Sequence, residues 1–219
     1  MYVPSHFTQT DPGTLQVFVR THSFATLVSA GDDEVPLASH LPLLIDEPLG
    51  EQGALVGHLA RANPHWPALD GRTTLAIFHG PHAYISPTRY GNTSTPDGAR
   101  HVVPTWNYTA VHVYGTCHLE HDPAVILAIL EHYVEFYERG QPTPWRFHAD
   151  TPFARRLAAQ VVAFRIDIAR WEGTWKLGQN HAAERRARTA AALDDPQARA
   201  IAELMQATLS SQQRAARRT

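Results

Sequence analysis

Gly57-His58-Leu59-Ala60-Arg61-Ala62-Asn63-Pro64-His65-Trp66 sets an imidazole, a guanidinium and a carboxamide within a few residues of each other, beside a glycine and a proline. A helical turn starting near His58 would hold Arg61 one turn later and leave backbone N–H groups free at its N-terminus. That combination suits an anion, a phosphate above all. A surface turn with a structural Arg is the other reading of the same residues. The stretch has company. Pro36-Leu37-Ala38-Ser39-His40-Leu41-Pro42-Leu43 precedes it, and Leu75-Ala76-Ile77-Phe78-His79-Gly80-Pro81-His82-Ala83-Tyr84-Ile85-Ser86-Pro87 follows it. Val103-Pro104-Thr105-Trp106-Asn107-Tyr108 and Trp171-Glu172-Gly173-Thr174-Trp175-Lys176-Leu177-Gly178-Gln179-Asn180 come later.

Outward from that stretch, short apolar runs alternate with turn signals. Asp11-Pro12 marks a helix start, and Leu15, Phe18 and Val19 form the apolar stripe of residues 14–21. Residues 24–29 read as a strand that ends at Gly31-Asp32-Asp33, and 35–45 as a second strand completing a hairpin. Pro36 and Pro42 there require an edge, a bend or a bulge. Further short strands are expected at Leu55-Val56 and 75–78, with breaks at Gly80-Pro81 and Ser86-Pro87. Residues 90–100 read as a loop, and 110–114 alternate as a strand. Asp122-Pro123 opens a helix whose Ile126, Ile129, Leu130, Tyr133, Val134 and Tyr137 recur at helical spacing until Gly140 and Pro142. Thr151-Pro152 opens a shorter helix to about Ala159, and 162–168 alternate again as a strand. From Ala182 onward two helices are expected, broken at Asp194-Asp195-Pro196, with the last nine residues fraying.

Strands dominate the first half, with helices around and after them. They do not alternate as strand–helix–strand units, and neither GxGxxG nor GxxxxGK[ST] occurs, which argues against a dinucleotide-binding sheet and a P-loop. The composition, 43% hydrophobic and 18% charged, supplies a sizeable core. The net charge of -2 gives no domain-wide nucleic-acid footprint. The single cysteine, Cys117, rules out a disulfide framework within the chain. The start lacks a basic region followed by an apolar run, and no apolar run reaches the ~20 residues of a membrane helix, so a reducing cytoplasm is the expected home.

In their order, the blocks quoted above resemble the PaiB family, the FMN-binding negative transcriptional regulators. The resemblance runs from Met1-Tyr2-Val3-Pro4 to about Asn180. It implies a mainly β fold with peripheral helices, an FMN-binding split β-barrel similar to the pyridoxamine-phosphate oxidases and flavin reductases. Residues 1–180 would form that domain, with inserted helices, and 181–219 a C-terminal helical extension. The family also implies a homodimer with the flavin near the subunit interface.

FMN asks for cations, hydroxyls and amides at its phosphate, donors and acceptors at its pyrimidine edge, and apolar or aromatic faces for its ring. Arg61 is the first choice for the phosphate, and His58, Arg61 and Asn63-Pro64 resemble a recurring arrangement of split-barrel flavoproteins. Asn63 reads equally as a turn cap before Pro64. Ser39, His40 and Leu41 correspond by position to the strand that holds the ring, largely through backbone groups. Trp106 would stack on the ring and Asn107 bond its edge, with barrel core or dimer interface as the other reading for Trp106 and Tyr108. Lys176 would reach the phosphate, while Gln179 and Asn180 would bond the flavin or seal the site. The family pattern has Ser where this chain has Gly178, which removes a hydroxyl.

No metal site is expected, since His79-x-x-His82 and His118-x-x-His121 lack a third and fourth converging ligand. Cys117 reads as a small apolar filler, and no GxSxG occurs. Two functions stand side by side: a flavin-binding regulator that lowers expression of its targets, and a flavin-dependent oxidoreductase, with a haem-binding split barrel as a lesser third. Support for DNA as a partner is thin. No helix-turn-helix is evident, and the best basic segment is Glu184-Arg185-Arg186-Ala187-Arg188, joined by Arg214, Arg217 and Arg218.

Overall fold

A computed structural model describes residues 1–46, 53–90 and 103–216. Most of the expected loop at 90–100 lies outside the described residues, as do 217–219 of the expected frayed end. Among the described residues eight strands form one sheet. They are β1 (Thr8–Gln9), β2 (Phe24–Ala30), β3 (Pro36–Pro42), β4 (Leu44–Asp46), β5 (Ala54–Ala60), β6 (Thr73–Ile85), β7 (Thr105–Glu120) and β8 (Val161–Lys176). The order is β3-β2-β6-β7-β8-β5-β4, with β1 paired to β8. Among the described residues five α-helices accompany it: α1 (Pro12–Thr21), α2 (Pro123–Glu138), α3 (Pro152–Ala158), α4 (Ala183–Ala191) and α5 (Pro196–Ala216).

The chain divides into two compact units, and the division cuts the long strands. One unit, the hairpin unit, is Pro12–Phe78 with Val111–Trp171; the other, the tail unit, is Met1–Asp11, His79–Ala110 and Glu172–Thr219.

In the hairpin unit, β2 and β3 pair antiparallel from Phe24↔Pro42 to Ala30↔Pro36. Ala25, Leu27 and Ser29 of β2 and Ser39 and Leu41 of β3 are buried, while their neighbours in sequence are more exposed, as the period of two requires. The expected single strand over 35–45 is two strands. Pro42 has no N–H to continue a ladder, Leu43 N–H donates to Ser23 O at 2.8 Å, and Leu44 then pairs with Val56 of β5. Helix α2 starts where Asp122-Pro123 predicts, with the Asp122 carboxylate accepting from Ala124 N–H at 2.8 Å. Its Ile126, Ile129 and Tyr133 pack with Leu44, Val56, Ala158 and Ala163. Each such apolar side chain, fully buried, contributes about 1.5–3 kcal/mol. Tyr133 also carries its hydroxyl to within 2.8 Å of the carbonyls of Pro42 and Val56, tying the helix to both strands.

Strand β5 runs on through Gly57 and His58 to Ala60, antiparallel to β8 from Ala54↔Asp167 to Ala60↔Val161. The helical turn expected from His58 is therefore absent. The strand ladder takes the backbone groups, and a tight turn follows in which Arg61 N–H donates to Gln160 O and Asn63 N–H to Ala60 O, both at 2.8 Å. Strand β6 likewise passes through Gly80-Pro81 without a break, contrary to the sequence expectation; the division between the two units falls just before, at Phe78 and His79.

In the tail unit, α4 and α5 are separate helices broken at Asp194-Asp195-Pro196, as expected. Ala190, Leu193, Ala198, Ile201, Ala202 and Met205 form one core cluster with Ala83, Ile85 and Leu177.

Candidate functional site

Six of the sequence-predicted site residues lie in the hairpin unit. Ser39 and Leu41 face inward at 8% and 4% exposure, and His40 faces out, its Nδ1 3.1 Å from Thr26 Oγ1. Strand β3 ends the sheet order among the described residues, so every second residue directs its backbone N–H and C=O away from β2. Such an edge offers the donors and acceptors that a pyrimidine edge needs. Asn63 sits in the turn after β5, and its carboxamide is held at both ends. Oδ1 accepts from His65 N–H at 2.9 Å across Pro64, and Nδ2 donates to Ser39 Oγ at 3.1 Å. The turn-cap role read for Asn63 is thus present, and the structure brings Asn63 and Ser39 together directly.

Between them lies a residue to which the sequence reading assigned no role. His65 is 3% exposed, with Nδ1 2.9 Å from Ser39 Oγ and Nε2 3.0 Å from Ser29 Oγ. Ser29 Oγ is also 3.4 Å from Ala68 O. Burial pushes the His65 pKa below its ordinary value. The signal was available in the sequence: serines at two inward positions of a hairpin need polar partners.

Arg61 is exposed, yet its guanidinium is anchored. Nε donates to Ala159 O at 3.0 Å and Nη2 to Val161 O at 2.9 Å, while Nη1 makes no hydrogen bond among the described residues. His58 is half-buried, and its Nδ1 is enclosed with no hydrogen-bond partner among the described residues. Its ring meets Tyr133 edge-on at 4.9 Å, and burial lowers its pKa. A free guanidinium nitrogen at Arg61 and an open strand edge fit a phosphorylated, hydrogen-bonding ligand such as FMN, whereas the enclosed His58 Nδ1 is out of a ligand's reach.

The other five predicted residues lie in the tail unit. Trp106 is 54% exposed, with Tyr84 edge-on at 5.9 Å and His82 at 6.0 Å, so a flat apolar face is open to a ring. Asn107, next along β7, points the other way; it is 3% exposed and its Nδ2 lies 3.5 Å from Met205 Sδ of α5. Lys176 Nζ donates to Thr105 Oγ1 at 2.5 Å and to Trp106 O at 2.9 Å, and burial lowers its pKa. Gln179 closes on its own turn, accepting from Leu177 N–H at 2.7 Å and donating to Trp175 O at 2.5 Å. Asn180 is exposed. Gly178 has φ +79°, a left-handed conformation that glycine adopts freely. The turn thus supplies a backbone reason for glycine where the family pattern has Ser.

Of the basic segment, Arg188 is exposed, but Arg186 is 2% exposed and donates through Nη2 to Thr208 Oγ1 at 2.7 Å, joining α4 to α5. The side chain of Arg214, and Arg217 and Arg218 entirely, lie outside the described residues. Cys117 is fully buried, its thiol pushed up to about 12 by burial and by the Asp70 charge, so it is not a nucleophile near neutral pH. Among the described residues no three His, Cys, Asp or Glu converge on a metal position, and no helix is long and apolar enough to cross a membrane.

Residues 1–170 match the family model described as "Putative FMN-binding domain". The protein named protease synthase and sporulation protein PAI 2 of Bacillus subtilis is 32% identical over 219 residues, covering 97% of this chain and 100% of that protein. Among solved structures, the flavocytochrome Anf3 from Azotobacter vinelandii is similar with a TM-score of 0.58 at 15% identity, over 80% of this chain and 72% of that one. The FAD and heme binding protein from Mycobacterium smegmatis is similar with a TM-score of 0.58 at 17% identity, over 82% of this chain and 78% of that one. These likenesses show the fold expected from the sequence, a mainly β split barrel with peripheral helices.

Proposed function

The chain belongs to the FMN-binding domain family, and from that membership we propose that it is a flavin-binding regulator that lowers transcription of its target genes. The observation that carries the reading is the near full-length similarity to PAI 2, whose name points to protease synthesis and sporulation. FMN, when bound, would supply a redox-active ring. Arg61, through Nη1, is assigned to the phosphate, and the outer edge of β3 at Ser39, His40 and Leu41 to the ring's polar edge; His58, whose Nδ1 is enclosed, makes no contact in this reading. In the tail unit, taken by itself, Trp106 offers an exposed aromatic face, with Lys176 bonded to its carbonyl. Asn63 supports Ser39 from within its own unit, while Asn107 and Gln179 are turned to Met205 and to the backbone of Trp175 and Leu177.

Residues 1–180 carry the flavin and 181–219 form a helical extension in this reading. The active form is a cytoplasmic homodimer, supported by the exposed Tyr84, Val103 and Trp106 of the tail unit, at 50%, 72% and 54% exposure. Direct DNA binding would be weak and salt-sensitive or would need a partner, because Arg186 is engaged inside the protein. Each neutralised phosphate adds about 0.9 to the logarithmic salt slope, so mobility shifts at graded salt test this.

The absorbance spectrum of the purified protein is the primary test. A flavin spectrum supports the reading, a Soret band would replace it with a haem protein, and no chromophore after incubation with FMN would remove it. Steady-state reduction by NADH or NADPH would move the flavoprotein to the oxidoreductase class.

A further inference from the structure

The hydrogen-bonded cluster around His65 admits a proton count. Ser29 has one hydroxyl proton, and Ala68 O accepts it at 3.4 Å. The Ser29 oxygen then accepts from His65 Nε2 at 3.0 Å, which places the imidazole proton on Nε2. Nδ1, left bare, accepts from Ser39 Oγ at 2.9 Å, and Ser39 accepts from Asn63 Nδ2 at 3.1 Å. Every donor has one acceptor and the direction never reverses. With the proton on Nδ1 instead, the Ser39 proton has no acceptor among the described residues and Ala68 O loses Ser29. A charged imidazolium fails at Ser39 in the same way. Burial at 3% exposure independently favours the neutral ring.

The relay begins at Asn63, two residues past Arg61, and passes through Ser39, the first residue of the strand segment assigned to the ring. We propose that His65, as its Nε2-protonated neutral tautomer, is a positioning residue that locks the Arg61–Asn63 turn against β3 and so sets the phosphate donor relative to the ring-binding edge. The inference rests on the flavin reading of that turn. His65 touches no ligand in it; it acts through Ser39 and Asn63.

Two measurements test it. Long-range proton–nitrogen correlation spectra of the labelled wild-type protein at pH 7 should show His65 protonated at Nε2 and bare at Nδ1. FMN titration followed by flavin fluorescence should then separate three variants. In His65→Asn the Oδ1 atom stands near the former Nδ1 and keeps the Ser39 bond, so affinity stays within about threefold of wild type. His65→Gln keeps only the donor to Ser29, and His65→Leu keeps neither; both should bind FMN roughly tenfold or more weakly. If the Leu variant fails to fold, the Asn and Gln pair, both polar, still decides the matter. A purely structural role would rank affinities by thermal stability rather than by which bond survives. An Nδ1-protonated or charged ring at pH 7, or Gln binding as tightly as Asn, would overturn the inference. Absence of FMN binding by the wild type would instead sink the flavin reading on which it stands.

Discussion

The turn after β5 and the turn after β8 both follow a long strand, both carry an asparagine and a cation expected at the flavin, and each holds its polar groups in its own way. In the first, side chains bond side chains across elements: Asn63 to Ser39, Ser39 to His65, His65 to Ser29. In the second, Gln179 bonds only the backbone around its own turn, and Lys176 alone reaches another strand, at Thr105 Oγ1 and Trp106 O of β7. Long-range side-chain bonds fix one element relative to another, whereas a local clamp fixes only a turn. A ligand donor needs the first kind of support.

The largest effect should therefore fall on Arg61. Arg61→Ala should weaken FMN binding by about 1.5–3 kcal/mol, the size of a lost hydrogen bond to a charged group. Lys176→Ala should weaken it less, because its ammonium already serves Thr105 and Trp106. Fluorescence titration of the two apo-proteins measures both. Equal losses would erase the distinction between the turns.

Next in size are the stability costs. Asn63→Ala removes a donor from Ser39 and an acceptor from His65 N–H, and should cost about 2 kcal/mol. Gln179→Ala should cost about 1 kcal/mol, since its partners lie in one half-buried turn. Midpoints of denaturant unfolding compare them, and a larger loss for Gln179→Ala would reverse the argument.

What the sequence disclosed follows the same division. Local chemistry was legible: the Asp122-Pro123 and Thr151-Pro152 helix starts, the break at Asp194-Asp195-Pro196, and the strand at 24–29 all appear as read. Partner exchange was not. Pro42 ends one pairing and Leu44 begins another, a change that depends on β5 arriving alongside. His58 reads as a helix start only while β8 is unknown; once β8 pairs, it is a strand residue. The family resemblance identified the blocks, yet position in a block does not say where a side chain points. Trp106 and Asn107 are adjacent and face opposite ways because they lie on a strand. Arg186 looks like surface charge in sequence and is interior because α5 covers it.

A pH test sharpens the contrast at smaller amplitude. Burial places the folded pKa of His65 below the ordinary 6.5. Above pH 6.5 both folded and unfolded states are neutral, and its contribution is complete. As pH falls below 6.5 the unfolded chain takes up the proton first, so stability declines until the folded pKa has been passed. His22 and His58 act in the same direction in this unit, and His181, lowered by burial and then by Arg185, does so in the other. Unfolding midpoints between pH 5 and 8 should fall toward acid, and His65→Asn should flatten that decline. An unchanged slope would show that the His65 ring is not held neutral by its burial.

The smallest expected effect concerns Gly178. With φ +79°, a side chain there is strained, but nothing crowds it: the nearest atoms to an added Cβ are Arg186 Cγ and His181 Cδ2, both at 3.8 Å. Gly178→Ser should therefore cost only about 1 kcal/mol, a backbone term alone. Gly57 provides the opposite case, since a Cβ there would lie 2.5 Å from Phe164 Cζ and 2.6 Å from Leu43 Cδ2. Gly178→Ser also restores the hydroxyl of the family pattern. If that hydroxyl served the flavin, FMN affinity would rise as stability fell. If glycine is present because the turn demands a left-handed residue, affinity should stay level while the unfolding midpoint drops slightly. Measuring both on the same variant separates a ligand contact from a backbone requirement, and the expected outcome is the second: the turn after β8 is shaped by its own backbone.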